Sequence, residues 1–206
     1  ALDFIRRHAG GERPFLALVW FGSPHDPHRA SETDRNLYMD QPEKLRDYYG
    51  EISGIDRAFG RLRTALGELG LRDSTLLWYL SDNGGLPGLG VTGGRGNKAQ
   101  IYEGGLRVPG LLEWPSRIRS PRITGVPCNT CDLYPTLLEL AGVSLDRQPP
   151  LDGVSLTGLI DGAMTSRPRP MGFWQHAEGG ISMNSENWMR ELQQAQRSGD
   201  MLGDMS

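Results

Sequence analysis

Two uninterrupted apolar runs, with a long amphipathic segment between them, constrain this chain more than anything else in it. They are Phe15-Leu16-Ala17-Leu18-Val19-Trp20-Phe21 and Thr75-Leu76-Leu77-Trp78-Tyr79-Leu80. A strand is apolar at successive positions when both its faces are buried, as in a parallel sheet covered by helices. Between the runs, Tyr48, Ile52, Ile55, Phe59, Leu62, Leu66 and Leu69 recur at alternating steps of four and three. That spacing lines one face of a helix and predicts one over about residues 42–69, stopped by Gly70. Strand, helix, strand in this order predicts a right-handed βαβ unit. The expected fold class is α/β, a mostly parallel sheet flanked by helices.

The remaining elements read less sharply. Residues 29–43 are polar and loop-like, and Val108–Trp114 and Ile123–Asn129 read as short strands. Asp132–Gly142 reads as a short helix, with Asp132 as N-cap and Gly142 as stop. Residues 149–162 are loop-rich, Pro170–His176 reads as a last strand, and an amphipathic piece spans Trp188–Gln196 in a polar tail after Glu178. The expected division is a core over 1–162 and the start of a smaller segment over 163–206.

Composition excludes some classes. At 206 residues, with 22 basic and 25 acidic residues and a net charge of −3, no basic stripe argues for nucleic acid. No run of about 18 apolar residues offers a membrane span. The chain opens at Ala1-Leu2-Asp3 without a signal peptide or initiator Met, so it is expected to be cut from something longer. Cys128-Asn129-Thr130-Cys131 reads as two structural thiols rather than a redox pair, and no second pair or His cluster completes a zinc site.

The second apolar run ends in Ser81-Asp82-Asn83-Gly84-Gly85, followed by Lys98 and then Glu103-Gly104-Gly105-Leu106-Arg107-Val108-Pro109. Asp-Asn-Gly alone is a common turn, and a loop lysine is usually a solvated charge. Together they supply hard oxygens and an ammonium at a strand end, which suits a cation and an anionic substrate. Only Lys44 and Lys98 are lysines; the other basic residues are arginine. Two histidines, His25 and His28, follow the first run.

These segments resemble, in order, the C-terminal half of a sulfatase, in the alkaline phosphatase superfamily. Pro24-His25-Asp26-Pro27 resembles the Pro-His-x-Pro of that family, and Tyr48–Asp56 with Leu66–Leu71 resembles its long helix. Asp73–Gly85 resembles its metal-binding strand end, and Gly94-Arg95-Gly96-Asn97-Lys98 its lysine loop. Glu103–Pro109, Trp114-Pro115, Asp132–Leu137 and Asp152–Leu156 complete a match over about residues 13–176. The resemblance implies an alkaline-phosphatase-like α/β fold, truncated on its N-terminal side. It implies Asp82 and Asn83 as ligands of one Ca²⁺ whose other ligands lie in the missing half. It also implies that Lys98 binds the sulfate oxygens and that His25 contacts the ester oxygen and protonates the leaving group.

Relatives that cleave phosphate esters often carry His where Asn83 stands, so Asn83 favours calcium and a sulfate ester. The family's C/S-x-P-S/A-R motif, whose first residue becomes a formylglycine nucleophile, is absent. Pro115-Ser116-Arg117 is a decoy with Glu113 two residues before the proline. The expected function is sulfate-ester hydrolysis by the full-length protein on a small-molecule or glycan ester, in an exported compartment, the fragment alone being inactive. The alternatives are a phosphodiester or phosphonate hydrolase of the same superfamily and a non-catalytic anion-binding fragment. Glu103 and Arg107 are expected to pair structurally, His28 is expected at the surface, and His176 has no assigned role.

Overall fold

The computed structural model describes residues 1–89, 93–144, 149–174, 190 and 194. His176, the end of the expected strand at 170–176 and almost all of the tail after Glu178 lie outside them. The chain divides into a unit of Ala1–Asp82 with Pro109–Pro170 and a unit of Asn83–Val108 with Met171–Ser206.

The expected long helix is present as Glu43–Glu68; with helices at Leu2–His8 (α1) and Glu32–Arg35 (α2) before it, it is α3. Its apolar stripe buries Ile55 and Leu66 almost completely, and each such side chain contributes roughly 1.5–3 kcal/mol. Gly70 ends it at φ +69°. Leu71 N–H donates to Leu66 C=O at 2.9 Å and Gly70 N–H to Gly67 C=O at 3.0 Å, a Schellman closure that glycine makes without steric cost.

β1 (Leu77–Leu80) and β2 (Gly110–Glu113) pair antiparallel, Leu77 opposite Glu113 and Leu80 opposite Gly110. Helix α3 meets β1 through the rings of Phe59 and Tyr79, 5.5 Å apart and edge-on. Arg63 and Arg72 both grip Glu113 at the end of β2, at 2.6 and 3.0 Å. Glu113 is thus a structural anchor, and burial is outweighed by these guanidinium bonds, Arg63's first, so its carboxyl is held below the usual range.

The first apolar run departs from expectation. Residues 14–22 join no strand ladder among the described residues. Leu16, Leu18 and Trp20 are 59%, 67% and 89% exposed. Apolarity reports that a segment wants burial on both faces; it does not supply the neighbouring strands that bury it. Ile123–Asn129 is likewise no strand, and residues 29–43 hold α2 and a 3₁₀ turn at Asn36–Tyr38 rather than plain loop.

After β2 comes a helical module. A short α4 (Glu103–Leu106) precedes β2, and a 3₁₀ turn at Thr130–Asp132 leads into α5 (Leu133–Leu140); α6 (Thr157–Ile160) lies in the region expected to be loop. Asp132 stands at the N-cap position of α5, as expected, but its side chain makes no cap bond to that helix. Asn129 caps the turn by accepting from Cys131 N–H, and Asp132 reciprocates to Asn129 N–H at 2.8 Å. The Asp132 carboxylate, fully buried, also accepts from Val154 N–H and takes Arg167 through both oxygens at 2.7 and 2.8 Å. Burial pushes its carboxyl up, but the Arg167 guanidinium and the two backbone donors outweigh that and hold it below the usual range. Gly142, at φ +67°, closes α5 as expected.

Candidate functional site

The segment from Asn83 to Val108 is folded by backbone hydrogen bonds and close glycine contacts. Gly84 N–H donates to Gly105 C=O at 2.9 Å, Lys98 N–H to Gly85 C=O at 2.9 Å, and Gly104 N–H to Arg95 C=O at 2.8 Å. A Cβ on Gly84 would overlap the Gly104 carbonyl, and one on Gly105 would overlap the carbonyls of Gln100 and Asn97. Only glycine permits these approaches. Ala99, next to Lys98, sits at φ +71°, a conformation that costs a non-glycine residue on the order of 1 kcal/mol or more. The Arg95 guanidinium stacks 4.1 Å above the Tyr102 ring and covers the loop's outer side.

The result is a defined position for Lys98. Its backbone is bonded to Gly85, two residues past Asn83. Lys98 and Asn83 are half-buried, and Asp82, the last residue of the first unit, is exposed. Asp82 and Asn83 offer a carboxylate and a carboxamide oxygen, which suit a hard cation. They are an incomplete set: among the described residues no three His, Cys, Asp or Glu side chains converge to hold an ion. The expected Glu103–Arg107 ion pair is absent; the link between them is Arg107 N–H to Glu103 C=O at 2.7 Å.

His25 lies in the first unit, exposed, on the segment after Phe21. Its Nδ1 bonds the Asp26 carbonyl at 2.8 Å. A carbonyl only accepts, so Nδ1 carries hydrogen. The segment that carries His25 is held to α3 by side chains. Ala30 N–H and Arg35 Nε donate to Asp47 at 3.2 and 3.3 Å, and Arg29 N–H donates to Glu51 at 2.8 Å. Asp34 takes Ser31 and, in a short ion pair, Arg57. Arg57's bond first, then Ser31's, keep the Asp34 carboxyl below its ordinary range.

His28 is not the surface residue that the sequence led us to expect. Its side chain is 11% exposed and its Nδ1 lies 3.2 Å from Glu51 Oε2, with the Tyr48 ring edge-on at 5.2 Å. Glu51 had no place in the sequence reading either. The signal that could have found it is the pair Gly50 and Gly54, one helical turn apart beside it. Glycines cost a helix about 1 kcal/mol each, so a face that carries two has something close against it. At Gly50 a Cβ would come 2.5 Å from Ala30 Cβ.

The two cysteines are free thiols at the surface. Desolvation, then the nearby Asp132 charge, push the Cys128 thiol up, away from the thiolate that redox exchange needs.

The model of the Sulfatase family matches residues 1–143. Steryl-sulfatase of Rattus norvegicus is 33% identical over 171 residues, which cover 78% of this chain and 28% of that protein. N-acetylgalactosamine-6-sulfatase of Canis lupus familiaris is 31% identical over 179 residues, 82% of this chain and 33% of that protein. The crystal structure of Ps i-CgsB in complex with k-i-k-neocarrahexaose matches with a TM-score of 0.73 at 29% identity, over 77% of this chain and 36% of that one. The chain therefore spans about a third of the length of these proteins and shares the α/β fold of their kind. Among the described residues no helix is long and apolar enough to cross a membrane.

Proposed function

We propose, because this chain belongs to the sulfatase family, that the whole protein hydrolyses sulfate monoesters and that Lys98 and His25 act at opposite ends of the bond that breaks. The observation that carries the reading is the bond from Lys98 N–H to Gly85 C=O. It supports the reading by bonding the lysine's backbone two residues past Asn83.

Lys98 binds the sulfate oxygens and offsets their charge in the ground state and the transition state. With Nδ1–H engaged by the Asp26 carbonyl, His25 hands over a proton from Nε2 of its imidazolium form. That proton goes to the ester oxygen as the sulfur–oxygen bond breaks, so the alcohol leaves neutral. Asp82 and Asn83 would hold a hard cation, Ca²⁺ in our reading, which when bound draws sulfate charge toward itself. They are two of its about six to eight oxygen ligands, the others coming from outside this chain. The attacking group also lies outside it. In the whole protein Phe15–Phe21 takes its place in the family's parallel sheet. The substrate is a small-molecule or glycan sulfate ester, met in an exported compartment. The second reading, a phosphodiester or phosphonate hydrolase, is disfavoured by the carboxamide of Asn83, a poor ligand for softer metals.

The test uses the whole protein on nitrophenyl sulfate, on a sugar or alkyl sulfate and on bis(nitrophenyl) phosphate. Lys98→Ala should raise KM and lower kcat on every sulfate ester. His25→Ala should cost about 10²–10⁴-fold in kcat on the sugar or alkyl sulfate, and far less on nitrophenyl sulfate, whose leaving group needs no proton. Equal losses on the two sulfates would remove the proton-donor role. A preference for the phosphate diester, with zinc or manganese bound, would replace the sulfate reading.

A further inference from the structure

The segment that carries His25 meets α3 closely at Ala30 against Gly50 and at His28 beside Tyr48, and is otherwise held by polar side chains. A cavity of about 270 Å³ lies there, lined among others by Ser23, Arg29, Asp34, Gly50, Glu51 and Gly54. What spans it is polar. Asp47, Glu51 and Arg57 stand along one side of α3, and each engages a different point between His28 and Arg35. Glu51 holds the part nearest His25. It accepts Arg29 N–H with Oε1 at 2.8 Å and meets His28 Nδ1 with Oε2 at 3.2 Å, its own side chain 8% exposed.

His28 is the second residue that Glu51 holds. Its Nε2 is enclosed and without a hydrogen-bond partner, so the contact that fixes the ring is the one from Nδ1 to Glu51 Oε2 at 3.2 Å. The imidazole fills space beside Tyr48 and completes the second half of a two-point grip on consecutive residues of the segment.

We propose that Glu51 is a positioning residue for His25, holding the imidazole's loop in register through His28 and the Arg29 amide. The proposal rests on the role given to His25 above. A shift of about 1 Å in a reacting group costs on the order of 10²-fold. Cutting the Glu51 anchor, which holds two consecutive residues of the segment, is expected to let the loop move that far.

The experiment uses the whole protein and two readouts. The first is hydrogen exchange of the Arg29 amide, which Glu51→Ala should speed and Glu51→Gln, which keeps an acceptor at Oε1, should restore. The second is kcat on the two sulfate types. Glu51→Ala should cost about 10²-fold on the sugar or alkyl sulfate and little on nitrophenyl sulfate, with KM nearly unchanged. It should add nothing to His25→Ala, because the two changes remove the same contribution. Gly50→Ala, whose new Cβ presses on Ala30 and on the backbone of Asp34 and Arg35 while leaving the Glu51 side chain in place, should reproduce the same ester selectivity.

Unchanged exchange at Arg29 in Glu51→Ala overturns the grip. Faster exchange with equal losses on both esters, or with an additive loss in the double variant, overturns the positioning. If His25→Ala alone spares the sugar sulfate, the role of His25 fails first. The link from Glu51 to turnover falls with it, while exchange still reports separately whether Glu51 holds the segment.

Discussion

The two segments that carry the proposed catalytic side chains are built by opposite means. The Lys98 segment is tied by its own backbone, with Gly84, Gly85, Gly104 and Gly105 bonded through main-chain amides and carbonyls. The His25 segment is tied to α3 by the side chains of Asp47, Glu51 and Asp34, beside a cavity. The difference is one of tolerance. A backbone-tied loop fails where a Cβ would meet a carbonyl, as at Gly84 and Gly105, and is indifferent to charge. A carboxylate-tied loop depends on each anchor's partner, and here also on the close contact of Ala30 with Gly50.

The largest effect comes from carrying side-chain anchoring to full burial. Asp132→Ala leaves the Arg167 guanidinium, 6% exposed, without its counter-charge and should cost about 3–5 kcal/mol in chemical denaturation of the whole protein. The sign with pH follows from a carboxyl held below its ordinary value of 3.8. Its contribution is complete above 3.8 and is lost as pH falls through 3.8 toward the lower folded value. The stability gap between wild type and Asp132→Asn should therefore narrow over that window; a gap that is constant with pH would break the argument.

Next comes Gly105→Ala in the backbone-tied segment, where the new Cβ overlaps the carbonyls of Gln100 and Asn97. It should cost about 3 kcal/mol, seen in the same denaturation, and should take Lys98's contribution to KM with it. If this variant were as stable and active as wild type, the glycine contacts would not be what shapes the loop. The smallest effect is Glu113→Gln. Its side chain is 28% exposed although it holds both Arg63 and Arg72, so the change should stay within about 1 kcal/mol. A larger loss would mean that half-exposed carboxylates anchor this molecule as firmly as Asp132 does.

What was legible in the chain was local. The steps of four and three from Tyr48 to Leu69 gave α3 within a residue of its ends, because helix periodicity is set by contacts one turn away. Gly70 and Gly142 were readable as stops because a positive φ at that position is a property of one residue. The Asp82-Asn83 pair, the Gly-rich loop and Lys98 could be picked out by residue type alone. The decisions that failed were those between distant partners. Phe15–Phe21 has the composition of a buried strand, yet strand pairing needs a neighbour that periodicity cannot name. Asp132 takes the expected N-cap position of α5, yet its carboxylate goes to Val154 and Arg167, residues far along the chain that local spacing cannot name. Of His25 and His28, three residues apart in one turn-rich segment, nothing local says which is buried. The tertiary structure decides it, because Glu51 on α3 closes on His28 and leaves His25 exposed.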